Sequence, residues 1–411
     1  MSVFAALHTS AQGMTTQSHV MERISGNVSN VNTVGYKSFD AHLQDTVNHV
    51  TTTGTFVGVN SVDIRRMDQQ GIITSTGDAL DMAINGNGFF VTNPKFDLSD
   101  TTHYTRNGAT GTRLGDDGNS YLTTSAGDFI LGWAADEEGA VDTTGPLVPI
   151  QVDSVDPLAG SVTDDVTFAA NVEANSTQAH NFEVRVWSTP DAEGNNDPYA
   201  LVMTWSPGEI GSNAWTVSYS VRGPDGNTTA LPETTDVTFD GFAKYQSPEE
   251  NPVVTVPFAD GTSSDITIDL TGMTQYGDSG FSEIYQEANG FSDGFVSSVG
   301  FDNFGRLMTN YSNGQNRVQY QVALADFTAP QNLEDAGNTA FTYRAEAGEL
   351  TLFGVGDVFD STAILPSAVE GSTVDLAKEF SLLITTQRAY STSATVYRTS
   401  DEMLRTATQL K

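Results

Sequence analysis

The sequence predicts a mainly β protein with terminal α-helices. The N- and C-terminal helices are expected to form a coiled-coil-like base, followed by nested β-rich proximal and distal domains. Three observations carry this. Apolar residues near both ends recur at a period close to 3.5. Between them lie short alternating runs separated by Gly, Pro, Asn and Asp. The acid is concentrated in mid-chain: residues 146–284 hold 21 acids against Arg185, Arg222 and Lys244, a charge of -18, whereas residues 372–411 hold five bases against four acids. Over all 411 residues the net charge is -34, which repels nucleic acid and anionic membrane and reads as a solvated outer surface.

The first helix is expected over residues 3–31, where Val3, Leu7, Ala11, Met14, Met21 and Val28 form a stripe broadened by Val20, Ile24 and Val31. Gly13, Gly26 and several Ser, Thr and Asn lower its intrinsic helicity, so it needs a partner. It should stop in Asn30-Val-Asn32-Thr-Val-Gly35-Tyr36-Lys37, where Gly35 can take a positive φ. Residues 38–70 have mixed helix and strand character and end in a strand-like run, Val57 to Arg65. A β-rich segment follows, with Leu80–Asn85, a hairpin turn at Gly86-Asn87-Gly88, then Phe89–Thr92, Tyr104–Gly108 and Tyr121–Asp128.

Between Gly145 and Glu283 the runs Phe182–Trp187, Leu201–Trp205, Ala214–Tyr219, Val237–Phe239, Val253–Val256 and Ile266–Leu270 read as short strands of an inserted sandwich or barrel. From Gly290 to Pro366 the chain returns to the pattern it has before the insert. Ser372 with Asp375 then gives a capping-box start for a closing helix through Lys411, about 60 Å long at about 1.5 Å per residue. Leu376, Leu383, Tyr390, Tyr397 and Leu404 recur in it every seven residues, with Phe380, Gln387, Ala394, Asp401 and Thr408 at the alternate heptad positions. The expected division is 1–32 with 370–411 as a helical assembly domain, 33–71 as a connecting segment, 72–145 with 285–369 as a proximal β domain, and 146–284 as a distal acidic one.

Signatures of chemistry are thin. The chain has no cysteine, hence no disulfide or thiol site, and neither a zinc-protease motif nor a Gly-Lys pair for a phosphate loop. Gly290-Phe-Ser-Asp-Gly294 lacks the buried apolar strand that a nucleophile elbow needs. Gly86-Asn-Gly-Phe-Phe is half a dinucleotide fingerprint without its helix. Asp116-Asp-Gly-Asn119 resembles a fragment of a calcium loop and reads as a turn. His42 and His49, seven apart, would share a helix face but sit too far apart along it to bind one metal. No catalytic, cofactor-binding or metal residue is expected. The N-terminus lacks a secretory signal and no run could span a membrane, so the chain is expected in the cytosol or exported without a cleaved signal.

Three stretches resemble the bacterial flagellar rod and hook axial proteins, most closely hook proteins. They are Asn27-Val-Ser-Asn30-Val-Asn32-Thr-Val-Gly35-Tyr36-Lys-Ser; Gly77 to Val91, containing Gly86, Gly88 and Phe89, with Tyr104-Thr-Arg-Asn-Gly; and Asp375-Leu-Ala-Lys-Glu-Phe380 with Ile384-Thr-Thr-Gln387-Arg388-Ala-Tyr390 and Thr399–Leu404. Gly26 and Ser29 depart from the usual pattern, and residues 150–284 carry no motif. The large acidic insert, together with Tyr311–Gln315 and Val322–Leu333, is similar to hook rather than rod sequences.

The resemblance implies a subunit that polymerises into a curved tube acting as a universal joint from rod to filament, with assembly through Leu7, Met14, Met21, Ile24, Val28, Leu376, Phe380, Leu383, Tyr390, Tyr397 and Leu404. It implies as partners further copies of itself, the rod, hook-cap and hook-filament junction proteins and the flagellar type III export apparatus, with an extracellular place on the flagellum, and neither nucleic acid nor membrane insertion. A distal rod protein is the alternative, and an acidic secreted adhesin or calcium-binding module a more distant one.

Overall fold

The computed structural model describes residues 3–49, 55–136, 139–153, 157–209, 211–277, 280–356 and 362–409. The chain divides into two compact units, the first made of residues 1–154, 299–309 and 317–411 and the second of 155–298 and 310–316. Strand dominates both, and the helices lie at the chain ends.

In the first unit, helix α1 spans Val3–Ser29. It ends where expected: Asn30 N–H returns to Gly26 O at 3.2 Å and Gly35 takes φ +70°. A Cβ on Gly35 would lie 2.6 Å from the Asn107 backbone nitrogen, so both the turn and a close chain crossing require glycine there. The mixed connecting segment resolves into one long antiparallel hairpin, strands β1 (Phe39–His49) and β2 (Thr55–Arg65), paired in register from Phe39↔Arg65 to His49↔Thr55. Its β-branched residues and register with α1 override the helical hints. His42 and His49 therefore lie on a strand and not on a helix; the side chain of His49 is outside the described residues.

The rest of this unit is an antiparallel sheet system whose central path runs from Phe129–Ala134 through Phe89–Asn93, His103–Thr105 and Ala340–Thr342 to Glu334–Gly337. Successive residues feed different cores. Phe90, Ile130 and Leu324 join one cluster with Met82 and Ile364, whereas Phe89, Val91, Leu131 and Trp133 join another with Tyr104 and Phe341. Burial on both faces explains why these runs read as continuously apolar.

Gly86-Asn87-Gly88 is a corner rather than a hairpin turn. Met82–Asn85 pairs with Ala363–Pro366, and Phe89–Asn93 pairs elsewhere. Two glycines at φ +114° and +112° let the chain swing from one sheet to another. Asp116–Asn119 is the hairpin turn between Thr110–Leu114 and Ser120–Thr124. The Asp117 carboxylate accepts from Asn119 N–H at 3.1 Å and from the Tyr121 hydroxyl at 2.6 Å, which holds the turn.

The second unit is two facing sheets. Five strands run in order His180–Trp187, Pro198–Pro207, Ala214–Arg222, Thr228–Phe239 and Tyr245–Ser247; four run Val253–Pro257, Ser263–Asp269, Asp165–Asn171 and Ser282–Ala288. Inward residues of both, among them Phe168, Trp205, Trp215 and Ile266, share one core. Outward positions carry acid such as Glu183, Asp236 and Asp265, the period-two pattern legible in the sequence. Of the ion pairs among the described residues, only Arg222–Glu183 lies in this unit.

Helix α2 spans Leu376–Gln409. Its cap is Asp375, whose carboxylate accepts from the N–H groups of Ala377 at 2.9 Å and Lys378 at 3.2 Å. The expected box begins three residues too early, because Ser372 instead turns the preceding chain by accepting from Val374 N–H. Residues 410 and 411 of the expected helix lie outside the described residues.

Candidate functional site

Three stretches distant in sequence meet in a buried ion cluster in the first unit. Lys37, just after the Gly35 turn, donates from Nζ to Glu370 Oε1 at 2.7 Å and to Gln69 O at 2.5 Å. Arg106 donates from Nη1 to Glu370 Oε2 at 3.3 Å and from Nη2 to Gly86 O at 2.8 Å. Glu370 also accepts from Gly71 N–H at 2.7 Å, and its backbone carbonyl accepts from Gly35 N–H at 2.8 Å. The side chains of Lys37, Arg106 and Glu370 are 1%, 5% and 0% exposed, so the carboxylate is the anchor for two desolvated cations. Burial pushes the Lys37 ammonium below its usual range and Glu370 opposes that shift; burial likewise lowers Arg106.

A second node joins the helices to the hairpin. Asn27 Nδ2 donates to Phe39 O at 2.8 Å and Glu379 Oε1 at 3.0 Å, while its Oδ1 accepts from Phe39 N–H at 3.0 Å and from the Tyr36 hydroxyl at 3.3 Å. Two donors and two acceptor bonds on one short side chain are what an amide offers and a carboxylate does not. Farther along, Thr16 Oγ1 donates to Val59 O, and Asp63 of β2 meets both His19 at 3.0 Å and Arg23 at 2.8 Å.

Between the two helices the seam is small and polar. The buried residues are Ala5, Ser10, Thr16, Ile24 and Asn27 on α1 and Glu379, Thr386 and Ser400 on α2. A Cβ on Gly13 would lie 3.3 Å from Ser393 Oγ, so the helices approach closely there. The inward row of α2 is thus 379, 386, 393 and 400, one residue before the alternate heptad series read from sequence. Thr386, Ser393 and Ser400 are small, which lets two backbones come together, and Glu379 is accommodated by its bond with Asn27.

The large side chains go elsewhere. Leu383, Tyr397 and Leu404 flank the seam half-buried, as do Leu7, Met14, Met21 and Val28, and Ile24 is buried. Leu376, Phe380, Ile384, Tyr390, Val396 and Met403 are 38–57% exposed, and Phe4 is 73% exposed. These exposed apolar side chains stand on more than one side of α2, flanking the row that faces α1. Of the motif residues, Asn27, Phe89 and Gly88 are buried, Gly35, Asn30, Tyr36 and Gly86 lie in or beside the packed turns, and Gln387 and Arg388 stand on α2 away from the seam. Asn32 sits in the turn that closes α1.

The roles of Lys37, Glu370, Arg106 and Glu379 are not evident from sequence. A signal is present for the cations: the chain has only 18 bases against 52 acids, and two of those bases sit inside Gly-bounded motifs that must bury them. Nothing local distinguishes Glu370 among so many acids. Among the described residues no group of three or more His, Asp or Glu side chains could hold a metal, and no helix is long and apolar enough to cross a membrane.

Residues 365–410 match the family described as flagellar basal body rod FlgEFG protein, C-terminal. The flagellar hook protein FlgE of Brucella suis biovar 1 is 28% identical over 432 residues, with 100% of each chain covered. The resemblance to flagellar hook proteins therefore runs the length of the chain. Other hook proteins FlgE align nearly end to end, that of Borreliella burgdorferi at 26% identity over 99% of each chain and that of Salmonella typhimurium at 24% over 97% of this chain and 98% of the other. The crystal structure of Helicobacter pylori flagellar hook protein FlgE2 shares the fold, with a TM-score of 0.52 at 12% identity, covering 71% of this chain and 98% of that one. The matched C-terminal region begins just before Glu370 and contains all of α2.

Glu379 offers a test of the inter-helix node. Burial holds its pKa above the ordinary 4.5, against the opposing Asn27 bond. Between 4.5 and the raised value the folded state binds more protons than the unfolded one, so stability falls as pH rises through that window and levels off above it. Glu379→Gln keeps an acceptor for Asn27 and removes this contribution; in circular dichroism melts the midpoint should fall less with rising pH above 4.5 than in the unmodified chain. A slope unchanged in the variant would mean another group carries it.

Proposed function

We propose that this chain is the structural subunit of the flagellar hook, polymerising into a curved helical tube that acts as a universal joint and passes torque from rod to filament. The observation that carries the reading is the division of labour on the terminal helices. Within one subunit they meet through small polar residues, and they leave Phe380, Ile384, Tyr390 and Met403 outward for neighbouring copies. Helices from many subunits would then pack as a coiled-coil-like base lining the tube, with residues 1–32 and 370–411 as the assembly domain.

In this reading residues 33–71 connect that base to a proximal β domain, 72–145 with 285–369, and the acidic domain 146–284 faces outward. Its carboxylates keep neighbouring subunits from adhering there, which leaves outer contacts free to slide as the tube bends. The partners are further copies of the chain, the rod, hook-cap and hook-filament junction proteins, and the type III export apparatus; the place is the extracellular flagellum, reached without a cleaved signal. A distal rod protein has one observation in its favour, the rod named in the matched C-terminal family.

Removing Leu376–Lys411 while keeping Glu370 tests the proposal. The truncated chain should be a folded monomer with native near-UV circular dichroism that forms no tubes at concentrations where the full chain does. Loss of the near-UV signal would place α2 in a core and sink the tube model. Electron microscopy of full-length assemblies separates hook from rod, curved and flexible tubes supporting the former and straight stiff ones the latter.

A further inference from the structure

Arg65, the last residue of β2, is gripped by elements far apart in sequence. Its guanidinium carbon lies 4.1 Å from the centroid of the Phe39 ring and 4.7 Å from that of Phe341, and it pairs with Asp335. The Phe39 ring also receives Arg23 of α1 at 5.3 Å. Asp335 and Phe341 belong to the hairpin of Glu334–Gly337 and Ala340–Thr342 in the β part of the first unit. One side chain therefore ties the helical base and its connecting hairpin to the β sheet.

The ion cluster around Glu370 ties the same parts together, but its character differs. There every charged group is buried, whereas here Arg65 is 10% exposed and its partner Asp335 51%. A pair with one solvated partner is screened more and opens at lower cost than one buried on both sides. Arg65 also lines two cavities. One, of about 580 Å³, is lined by Arg65 with His42, Met67, Phe89 and Phe327; the other, of about 310 Å³, by Arg65 with Tyr36, Thr339 and Phe341. Once out of the ring slot, a side chain that borders open space can be accommodated without forcing packed atoms apart. The turn of the gripping hairpin holds Asn338 and Thr339 at φ +52° and +62°, and for β-branched Thr339 that region is strained.

We propose that Arg65 is a reversible clamp that sets the bending stiffness of the tube, with the Glu370 cluster as the fixed pivot beside it. As a subunit passes between the inner and outer sides of a bend, the guanidinium leaves the Phe39–Phe341 slot and returns, while the pivot stays closed. This rests on the hook reading. It makes Arg65 a positioning residue within the subunit.

Arg65→Met keeps the stem and removes the charge and the stacking plane; Asp335→Asn removes only the ion pair. Hydrogen exchange on the full-length monomer should show faster exchange at residues 334–342 in Arg65→Met, with a smaller increase in Asp335→Asn, and no change at residues 35–37 beside the pivot. Tubes of Arg65→Met should have a persistence length shortened roughly twofold or more, from loss of two cation–π contacts and an exposed pair. Unchanged exchange in the hairpin overturns the clamp even if no tubes form, and unchanged stiffness in assembled variant tubes overturns its mechanical role. Failure of the unmodified chain to form tubes counts against the hook reading, and the monomer exchange still decides the clamp. If Arg65→Met does not fold, Asp335→Asn carries both measurements.

Discussion

Glu370→Ala is expected to lose about 3–5 kcal/mol of the first unit's stability, the usual cost of removing one partner from a buried ion pair. The substitution leaves the Lys37 ammonium and the Arg106 guanidinium buried without their carboxylate, and it strips Gly71 N–H of its acceptor. Glu370→Gln should fall between, since its carbonyl can still accept from one donor while the charge is gone. Urea unfolding followed by Trp133 reports the first unit, because the other three tryptophans, Trp187, Trp205 and Trp215, lie in the second. A loss below about 1 kcal/mol in Glu370→Ala would mean that water enters the site and that the cluster does not hold the three segments together. An equal loss in both units would deny them separate cores.

Joint replacement of Phe380 and Tyr390 by Ser should act the other way round, on assembly and hardly on the monomer. Both are exposed in the single chain, 51% and 39%, so the folded monomer gives up little when they are shortened. A neighbouring copy that covers about half of each ring's exposed area gains roughly 1 kcal/mol per ring, at about 25 cal/mol per Å². Losing both therefore raises the critical concentration for tubes by roughly 10- to 100-fold. Sedimentation of assembled against free protein measures this, with the monomer melting point as control. A melting point lowered by many degrees would mean that the two rings belong to an internal core. An unchanged critical concentration would move the subunit interface off this face of α2.

These two experiments probe different depths of the molecule, and the sequence is informative about them to different degrees. Heptad spacing locates α2 and its apolar residues, yet the row nearest α1, 379, 386, 393 and 400, belongs to neither heptad series. Counting apolar positions assumes that the partner helix wants the large side chains. Here the close partner, α1, meets Glu379, Thr386 and Ser393, and the large residues are left for a partner outside the chain. Six of the nine strands described in the second unit are legible in the sequence, because one face of each is buried and the other is wet; Asp165–Asn171, Tyr245–Ser247 and the almost wholly exposed Ser282–Ala288 are not. The corner at Gly86–Gly88 looks like a hairpin in sequence, since two positive-φ glycines serve a tight turn and a change of sheet equally well. The segment 38–70 hides a hairpin for a related reason: its pattern is set by contacts with α1 that lie far off in sequence.

By itself the sequence determined that this protein is mainly β with a helix at each end, that its middle is strongly acidic, that its helices need company, and that the Asn27 to Lys37 motif closes the first of them. Period, charge and turn chemistry are local properties, and local properties can be read in order along a chain. Only the tertiary structure decided that Lys37, Arg106 and Glu370 form one buried cluster, that Asn27 bridges both helices to the hairpin, and that Arg65 stands between two rings and lines two cavities. Such contacts join residues far apart along the chain. Their free energy depends on desolvation at the meeting point, which no stretch of sequence carries alone.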